Sequence, residues 1–468
     1  MIPEAVQPEA AAEAAETLTR TGVFNGYVGV FIVAFIVTLI ATPVMRRLAV
    51  ANGIIDQPSD PRKVHKIPVA YLGGAAVFLG LVAAMFYSIM AIRIDPLIEF
   101  HPTTHILVEA ERVMPWSILL GMSVIMLVGL LDDVIGISPR LKVSGQLFAA
   151  AALAADEIGV QVARGLMMPT AEMLGIPTIE LGEGSLTFET VGFIIHLPSA
   201  LPLLPDTIPV DLVYWAGAAI IATFVLGGCN ASNLIDGLDG LLTGVTAIAV
   251  AGLLIIALGL AVADNGPRDT QRVVLALAVL GACLGFLPHN FNPANIFLGD
   301  CGSLLLGYCT VVLILLLGDT GRTHLVVIGL VIYAIPIIDT TLAIVRRKMA
   351  GKSLSEPDSD HLHHMLKRSL GVKGAVFALY GIGAGFAALG VAASYGRARL
   401  MYAVVLLFVS YIGVTAIKVA RRKQIEAHTL SKSSGFHPAE TGRPGKLHHD
   451  EGETDPAPAA LEATADQA

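Results

Sequence analysis

Long apolar stretches dominate this chain and leave it few ways to fold. Eleven of them, roughly residues 27–44, 72–92, 113–131, 141–155, 212–229, 241–263, 273–287, 303–317, 325–345, 375–395 and 400–417, approach the length that a helix needs to cross a bilayer. No water is present in hydrocarbon to satisfy an open backbone, so each span must be a helix that closes its own hydrogen bonds. Hydrophobic residues make up 54% of the chain, charged residues 15%, and the mean hydropathy is +0.71. Such values exclude the ordinary soluble classes. The expected fold is an all-α polytopic membrane protein of about eleven transmembrane helices, with a small hairpin-containing insertion on its outer face.

The segments outside the spans differ in character. Residues 1–22 and 421–468 are Ala-, Pro- and charge-rich without apolar periodicity and read as disordered tails. They flank a transmembrane catalytic domain over residues 23–420. An acidic stretch precedes the first span, so a cleavable signal peptide is not expected. Residues 156–211 form the insertion, in which 179–188 alternates around a Gly-rich turn as a hairpin does. Cys229, Cys283, Cys301 and Cys309 are scattered, which argues against a disulfide framework. The bilayer is one expected partner, a homodimer is compatible with the sequence, and no nucleic-acid partner is expected.

Alternating the loops between two sides separates the basic residues. One side receives Lys63, Lys66, Lys142, Lys348, Lys352, Lys367, Lys373, Lys418 and Lys423, while the other has arginines but no lysine. The positive-inside rule puts the lysine side in the cytoplasm and the N-terminus outside, in a bacterial inner membrane. The polar clusters fall on that same cytoplasmic side.

Those clusters carry the chemistry, because ionisable groups beside membrane spans read as functional. Asp132-Asp133 ends the third span. Adjacent helical carboxylates point about 100° apart, so one can face a metal or nucleophile while the other bonds backbone. A solvated helix end is the plainer alternative. Asn230, Asn233 and Asp236 are spaced by three, with Asp239 and Gly240 behind them. Amide and carboxylate oxygens are hard ligands suited to Mg²⁺ or Mn²⁺, although capping also favours Asn and Asp. Asp300 sits between Gly299 and Gly302, and the upstream loop 288–295, with Asn290, suits recognition of a planar base. Asp339 lies inside the ninth span before Arg346 and Arg347 and reads as a structural ion-pair member. His361-Leu362-His363-His364, with Arg346, Arg347 and four further cations around it, fits an anion such as pyrophosphate better than zinc.

Together these motifs resemble the polyprenyl-phosphate N-acetylhexosamine-1-phosphate transferases, a branch of glycosyltransferase family 4. The resemblance rests on Asp56-x-Pro58-x3-Arg62-Lys63-x-His65, Gly129-Leu130-Leu131-Asp132-Asp133, Asn230-x2-Asn233-x2-Asp236-Gly237-Leu238-Asp239-Gly240, Ile296-Phe297-Leu298-Gly299-Asp300-x-Gly302-Ser303 and Asp358-x2-His361-Leu362-His363-His364. It implies transfer of a sugar-1-phosphate from a UDP-N-acetylhexosamine to undecaprenyl phosphate, with release of UMP. By the same resemblance Asp300 and Asn233 would hold Mg²⁺, Mn²⁺ being an alternative, and Asp132 with Asp133 would meet the lipid phosphate. Asp236 and Asp239 would lie by the nucleotide. Arg62, Lys63, His65, Asn230, Asn290, Arg346, Arg347, His361, His363 and His364 would bind substrate. The nearest branch implied is the N-acetylglucosaminyl transferases that start cell-envelope polysaccharides. The phospho-N-acetylmuramoyl-pentapeptide transferases are the alternative, which usually show three successive histidines. A transporter is the alternative from another class, disfavoured because its polar groups belong at the midplane. The chain departs from the usual pattern at Ala70, Tyr71, Asn295 and Ser359, which leaves the exact sugar open.

Overall fold

The computed structural model describes residues 27–57, 68–93, 114–181, 188–196, 207–263, 269–349 and 361–396, together with residues 351 and 410. Helices account for most of it. In chain order they are α1 (Val28–Ala51), α2 (Gly73–Arg93), α3 (Trp116–Ile135), α4 (Pro139–Ala155), α5 (Val160–Leu174), α6 (Leu212–Ile235), α7 (Leu241–Val262), α8 (Asp269–Asn290), α9 (Gly299–Leu316), α10 (Thr323–Ile332), α11 (Ala334–Met349) and α12 (Leu362–Ser394). Strands β1 (Ile55–Asp56) and β2 (Val69–Ala70) pair with each other, and β3 (Thr178–Leu181), β4 (Phe188–His196) and β5 (Thr207–Asp211) form a separate sheet.

Among the described residues, eight helices are long and apolar enough to span a membrane. The pairs α4–α5 and α10–α11 also pass that test, but bent by 66° and 78°. These ten elements fall on the first ten stretches read from the sequence. The eleventh, 400–417, lies outside the described residues except for residue 410, as do both tails. The ninth stretch is therefore broken rather than straight, and the fourth is a straight helix followed across a bend by a second helix in the insertion. Gly159, with φ +95°, interrupts the first pair, and Pro336 in the first turn of α11 suits a helix that starts afresh.

The insertion holds more than the expected hairpin. The strands β3 and β4 do pair antiparallel, from Thr178↔Val191 to Leu181↔Phe188, and β5 adds to the other edge of β4. Ahead of the sheet comes α5, which buries Val160, Val162, Ala163 and Ala171 while exposing Leu166, Met173 and Leu174. The sheet feeds directly into α6, whose N-cap is Asp211. At 24 residues α6 is about 36 Å long, so the sheet and the C-terminal end of α6 lie at opposite ends of a span.

Among the described residues the most enclosed span is α9, with 94% of its apolar stretch buried against 22% for α1. One face of α1, carrying Ile32, Ile36, Ile40, Val44 and Leu48, remains exposed, as a lipid-facing stripe at helical spacing would. Lipid tails are as apolar as leucine, so helices associate there by close packing rather than by escape from water. Two glycines, Gly74 of α2 and Gly129 of the Asp132-Asp133 motif, supply that closeness at the first turn of α9. A Cβ on Gly74 would lie 2.1 Å from the Gly302 nitrogen, and one on Gly129 would lie 2.4 Å from the Cys301 Cα. Segment 69–74 is further laced to 296–298: the Phe297 N–H donates to the Ala70 carbonyl at 2.8 Å, and the Gly74 N–H donates to that of Leu298 at 2.8 Å. Helices α2, α3 and α9 thus converge on one point.

Candidate active site

At that convergence, distant from the three-stranded sheet, a cavity is lined by Asp56, Tyr71, Asn233, Asp236, Gly237, Leu238, Asp239, Asn290, Phe297, Leu298, Gly299, Asp300, Ser303 and His364. Four separate motifs contribute to it. The architecture explains the meeting: Asn233 is in the last turn of α6, Asp300 is in the first turn of α9, and Asp132-Asp133 are in the last turn of α3.

The adjacent aspartates divide their labour. Asp133 accepts the Asp300 and Cys301 N–H groups at 2.8 and 3.0 Å, and so caps the N-terminus of α9, where backbone donors lack helical partners. Gly299 permits this approach, since it has φ +72° and a Cβ there would stand 2.5 Å from Asp133 Oδ2. Asp132 turns the other way. Its Oδ1 accepts the Ile137 N–H at 3.0 Å, and its Oδ2 lies 2.7 Å from the Lys142 ammonium. Lys142 reaches from α4 to Asp300 Oδ2 as well, at 2.6 Å. The other oxygen of Asp300 accepts from Asn233 Nδ2 at 2.7 Å, and that amide also donates to Ser303 Oγ at 3.0 Å. With its nitrogen so engaged, Asn233 has its carbonyl oxygen left to offer.

Asp236, just beyond α6, shares the cavity. Burial, then the charges of Asp300, Asp133 and Asp239, push its carboxyl up to about 8. The Tyr71 phenol is held well above its usual range by burial and by the carboxylates of Asp56, Asp133 and Asp300, so it stays a neutral donor. Its ring lies 6.0 Å from that of Phe297. Asp239 is tied to the polar loop, accepting Asn292 Nδ2 at 2.9 Å and the Ala294 N–H at 3.0 Å. Asn290 is buried and structural in its bonds: its Oδ1 accepts from Gly240 N–H and the Thr243 hydroxyl, and its Nδ2 donates to the Ile296 carbonyl. That loop is thereby fixed against the start of α7.

The three histidines separate. His361 and His363 are buried and face Asp339, their Nδ1 atoms 3.0 and 3.4 Å from its Oδ2. The Leu362 N–H donates to the other oxygen at 2.7 Å. Only His364 lines the cavity. Of the three imidazoles expected to grip phosphate, His364 is the one in the cavity lining, while His361 and His363 turn their Nδ1 atoms to Asp339 at the start of α12. Asp339, read from the sequence as a structural ion-pair member, has these histidines as its partners. Ligand atoms of Asp339, His361 and His363 lie within 4.8 Å of one another, yet the carboxylate already receives N–H groups on both oxygens.

Other expected site residues lie apart. Asn230 is exposed and donates to Gln146 Oε1 at 2.9 Å and to its own helix, outside the cavity lining. Arg346 and Arg347 occupy the last turn of α11 and do not line the cavity either. Arg62, Lys63 and His65 lie outside the described residues. The sequence places Lys142 only among the lysines of the cytoplasmic side, and it assigns neither Tyr71 nor Ser303 to the site. The signal for Lys142 was its place, with Arg140, in the first turn of the helix that follows Asp132-Asp133.

Chemically, the cavity lining gathers four carboxylates, Asp56, Asp236, Asp239 and Asp300, with the amides of Asn233 and Asn290, and the Lys142 ammonium stands against Asp300. Asp300 and Asn233 are hard oxygen donors, and an ammonium already sits between Asp300 and Asp132 as a stand-in cation. The donor set therefore fits a small divalent ion.

Comparison with known proteins places this cluster in a family. Residues 115–318, which carry Asp132, Asp133, Asn233, Asp236, Asp239 and Asp300, match "Glycosyl transferase family 4". The chain is 32% identical over 355 residues to a Bacillus subtilis protein described as a probable undecaprenyl-phosphate N-acetylglucosaminyl 1-phosphate transferase, covering 75% of this chain and 81% of that one. A Mycobacterium tuberculosis decaprenyl-phosphate N-acetylglucosaminephosphotransferase is 31% identical over 414 residues, 83% of this chain and 88% of its own. A Bacillus cytotoxicus phospho-N-acetylmuramoyl-pentapeptide-transferase is 29% identical over 348 residues, 71% of this chain and 87% of its own.

Proposed function

The chain belongs to glycosyl transferase family 4, and from that premise we propose that it transfers N-acetylglucosamine-1-phosphate, or a close N-acetylhexosamine relative, from its UDP donor to undecaprenyl phosphate. The observation that carries the reading is the set Asp132, Lys142, Asp300 and Asn233, joined at the ends of four membrane helices beside an open cavity. A soluble nucleotide sugar and a lipid-held phosphate can meet at such a level and not at the midplane. The lysine asymmetry puts that level at the cytoplasmic face of a bacterial plasma membrane, with the N-terminus outside.

An oxygen of the acceptor phosphate attacks the phosphorus that bears the sugar. The bond from that phosphorus to the oxygen of UMP breaks, and UMP leaves. One phosphoanhydride replaces another, so the reaction is reversible and no water is consumed. A phosphate monoester is largely ionised near neutral pH, its second pKa being about 6, so no strong general base is needed. Mg²⁺, held by Asp300 and Asn233, would neutralise charge on the transferring group. The protein's own part is alignment. Asp133 fixes the first turn of α9 and so sets Asp300, while Asp339 fixes the start of α12 and so aims His364 into the cavity. Asp236, whose carboxyl burial and the neighbouring carboxylates push up to about 8, can in its protonated form donate a hydrogen bond to a phosphate.

The test uses purified full-length protein, undecaprenyl phosphate and Mg²⁺, with UDP-N-acetylglucosamine and UDP-N-acetylmuramoyl-pentapeptide supplied separately. Lipid-linked product from the first donor is expected. Product from the second donor alone would move the chain to the muramoyl branch.

A further inference from the structure

Lys142 holds a place that belongs to another kind of cation. Its ammonium bridges two carboxylates from different helices, Asp132 Oδ2 of α3 at 2.7 Å and Asp300 Oδ2 of α9 at 2.6 Å. The side chains of Lys142, Asp132 and Asp300 are only 25%, 20% and 25% exposed, so the contact is no loose surface pair. Asp300 is also the residue with the best claim to a divalent ion, since its second oxygen is held by Asn233. An ammonium and a divalent cation repel strongly at ligand distances, and these carboxylate oxygens cannot serve both at once.

We propose that Lys142 is a tethered placeholder: it neutralises the acid cluster until a divalent cation displaces it, and the displaced ammonium then receives the acceptor phosphate. The inference rests on the cation-dependent phosphotransferase reading above and adds a coupling to it. Lys142 stands in the first turn of α4, on a flexible four-carbon stem that lets the ammonium swing by several ångströms without moving the helix. Released from the carboxylates, it is a compact point charge suited to a phosphate. Cation and lipid phosphate should therefore help each other bind, and by thermodynamic linkage each should raise the other's affinity by the same factor. Without the lysine the cation binds an uncontested site, and the lipid gains nothing from it.

The experiment reads Mn²⁺ binding directly, by the loss of the free-ion paramagnetic resonance signal, on the detergent-purified full chain with and without undecaprenyl phosphate. In the wild type, the lipid should tighten Mn²⁺ binding by about tenfold, within the usual range of site coupling. Lys142→Met should bind Mn²⁺ alone about tenfold more tightly than the wild type, and added lipid should no longer change that affinity. Lys142→Arg keeps the charge and should bind Mn²⁺ alone as the wild type does, which guards against a variant that fails to fold. Wild-type binding of Mn²⁺ with equal or weaker binding by Lys142→Met overturns the placeholder while leaving the transferase reading intact. Absence of Mn²⁺ binding by every form overturns both.

Discussion

Gly129→Ala is the mildest substitution that should disable this site. Gly129 is in α3, three residues before Asp132, and an added Cβ would stand 2.4 Å from Cys301 Cα, 2.6 Å from its nitrogen and 2.7 Å from the Asp300 carbonyl carbon. All three are backbone atoms, so no side chain can rotate away. Restoring ordinary contact near 3.5 Å requires the helices to part by about 1 Å. The two bonds from the α9 N–H groups to Asp133, now 2.8 and 3.0 Å, would then approach 4 Å and cease to exist. Each bond to a charged acceptor is worth roughly 1.5–3 kcal/mol, so the first turn of α9 loses about 3–6 kcal/mol of local support. A shift of about 1 Å at a reacting group costs on the order of a hundredfold in rate. Transfer activity and thermal melting, measured together on the purified protein, read both effects. Gly227→Ala is the control, because a Cβ there meets nothing within 4 Å; it should leave activity unchanged and favour α6 slightly. A Gly129→Ala enzyme with near-native rate would refute the claim that the α3–α9 approach sets Asp300.

Three further outcomes follow from named contacts. Asp300→Asn should abolish transfer and the response to divalent cation while the protein still inserts, because one anionic oxygen becomes an amide; a near-native rate with unchanged Mg²⁺ dependence would remove Asp300 from the site. Asp339→Ala strands the His361 imidazole and the Leu362 N–H, costing roughly 1–3 kcal/mol for each buried donor, and should lower activity by releasing the start of α12; unchanged melting temperature and rate would show that the anchor is dispensable. Asp236, pushed up to about 8, keeps a proton that the unfolded chain loses near pH 4, so with EDTA present melting temperature should decline as pH rises through that window. Asp236→Asn should flatten this decline, and an unaltered profile would contradict the assigned proton.

The spans were legible because length and composition alone define them in a bilayer, and ten recur as helices or bent pairs. The break inside the ninth was written more faintly, in Pro336, as was the bend after the fourth, in Gly159. The acidic site was legible as separate motifs. Their convergence depends on Gly74 and Gly129, whose function is a contact with Gly302 and Cys301 more than 170 residues away. No local pattern reveals such a partner. Lys142 escaped for the same reason: its bond to Asp300 spans 158 positions. How the histidine motif divides was hidden for the same reason, since Asp339, which meets the Nδ1 atoms of His361 and His363, lies 22 residues before the first of them.

The most direct test follows the phosphorus that bears the sugar. Purified protein is given UDP-N-acetylglucosamine radiolabelled at that phosphorus, with undecaprenyl phosphate and Mg²⁺. The label should move into a lipid-linked pyrophosphoryl sugar, matched mole for mole by unlabelled UMP, and added UMP should return it to the nucleotide sugar. Label recovered as free N-acetylglucosamine-1-phosphate or inorganic phosphate, with none in the lipid, would contradict direct attack by the acceptor phosphate.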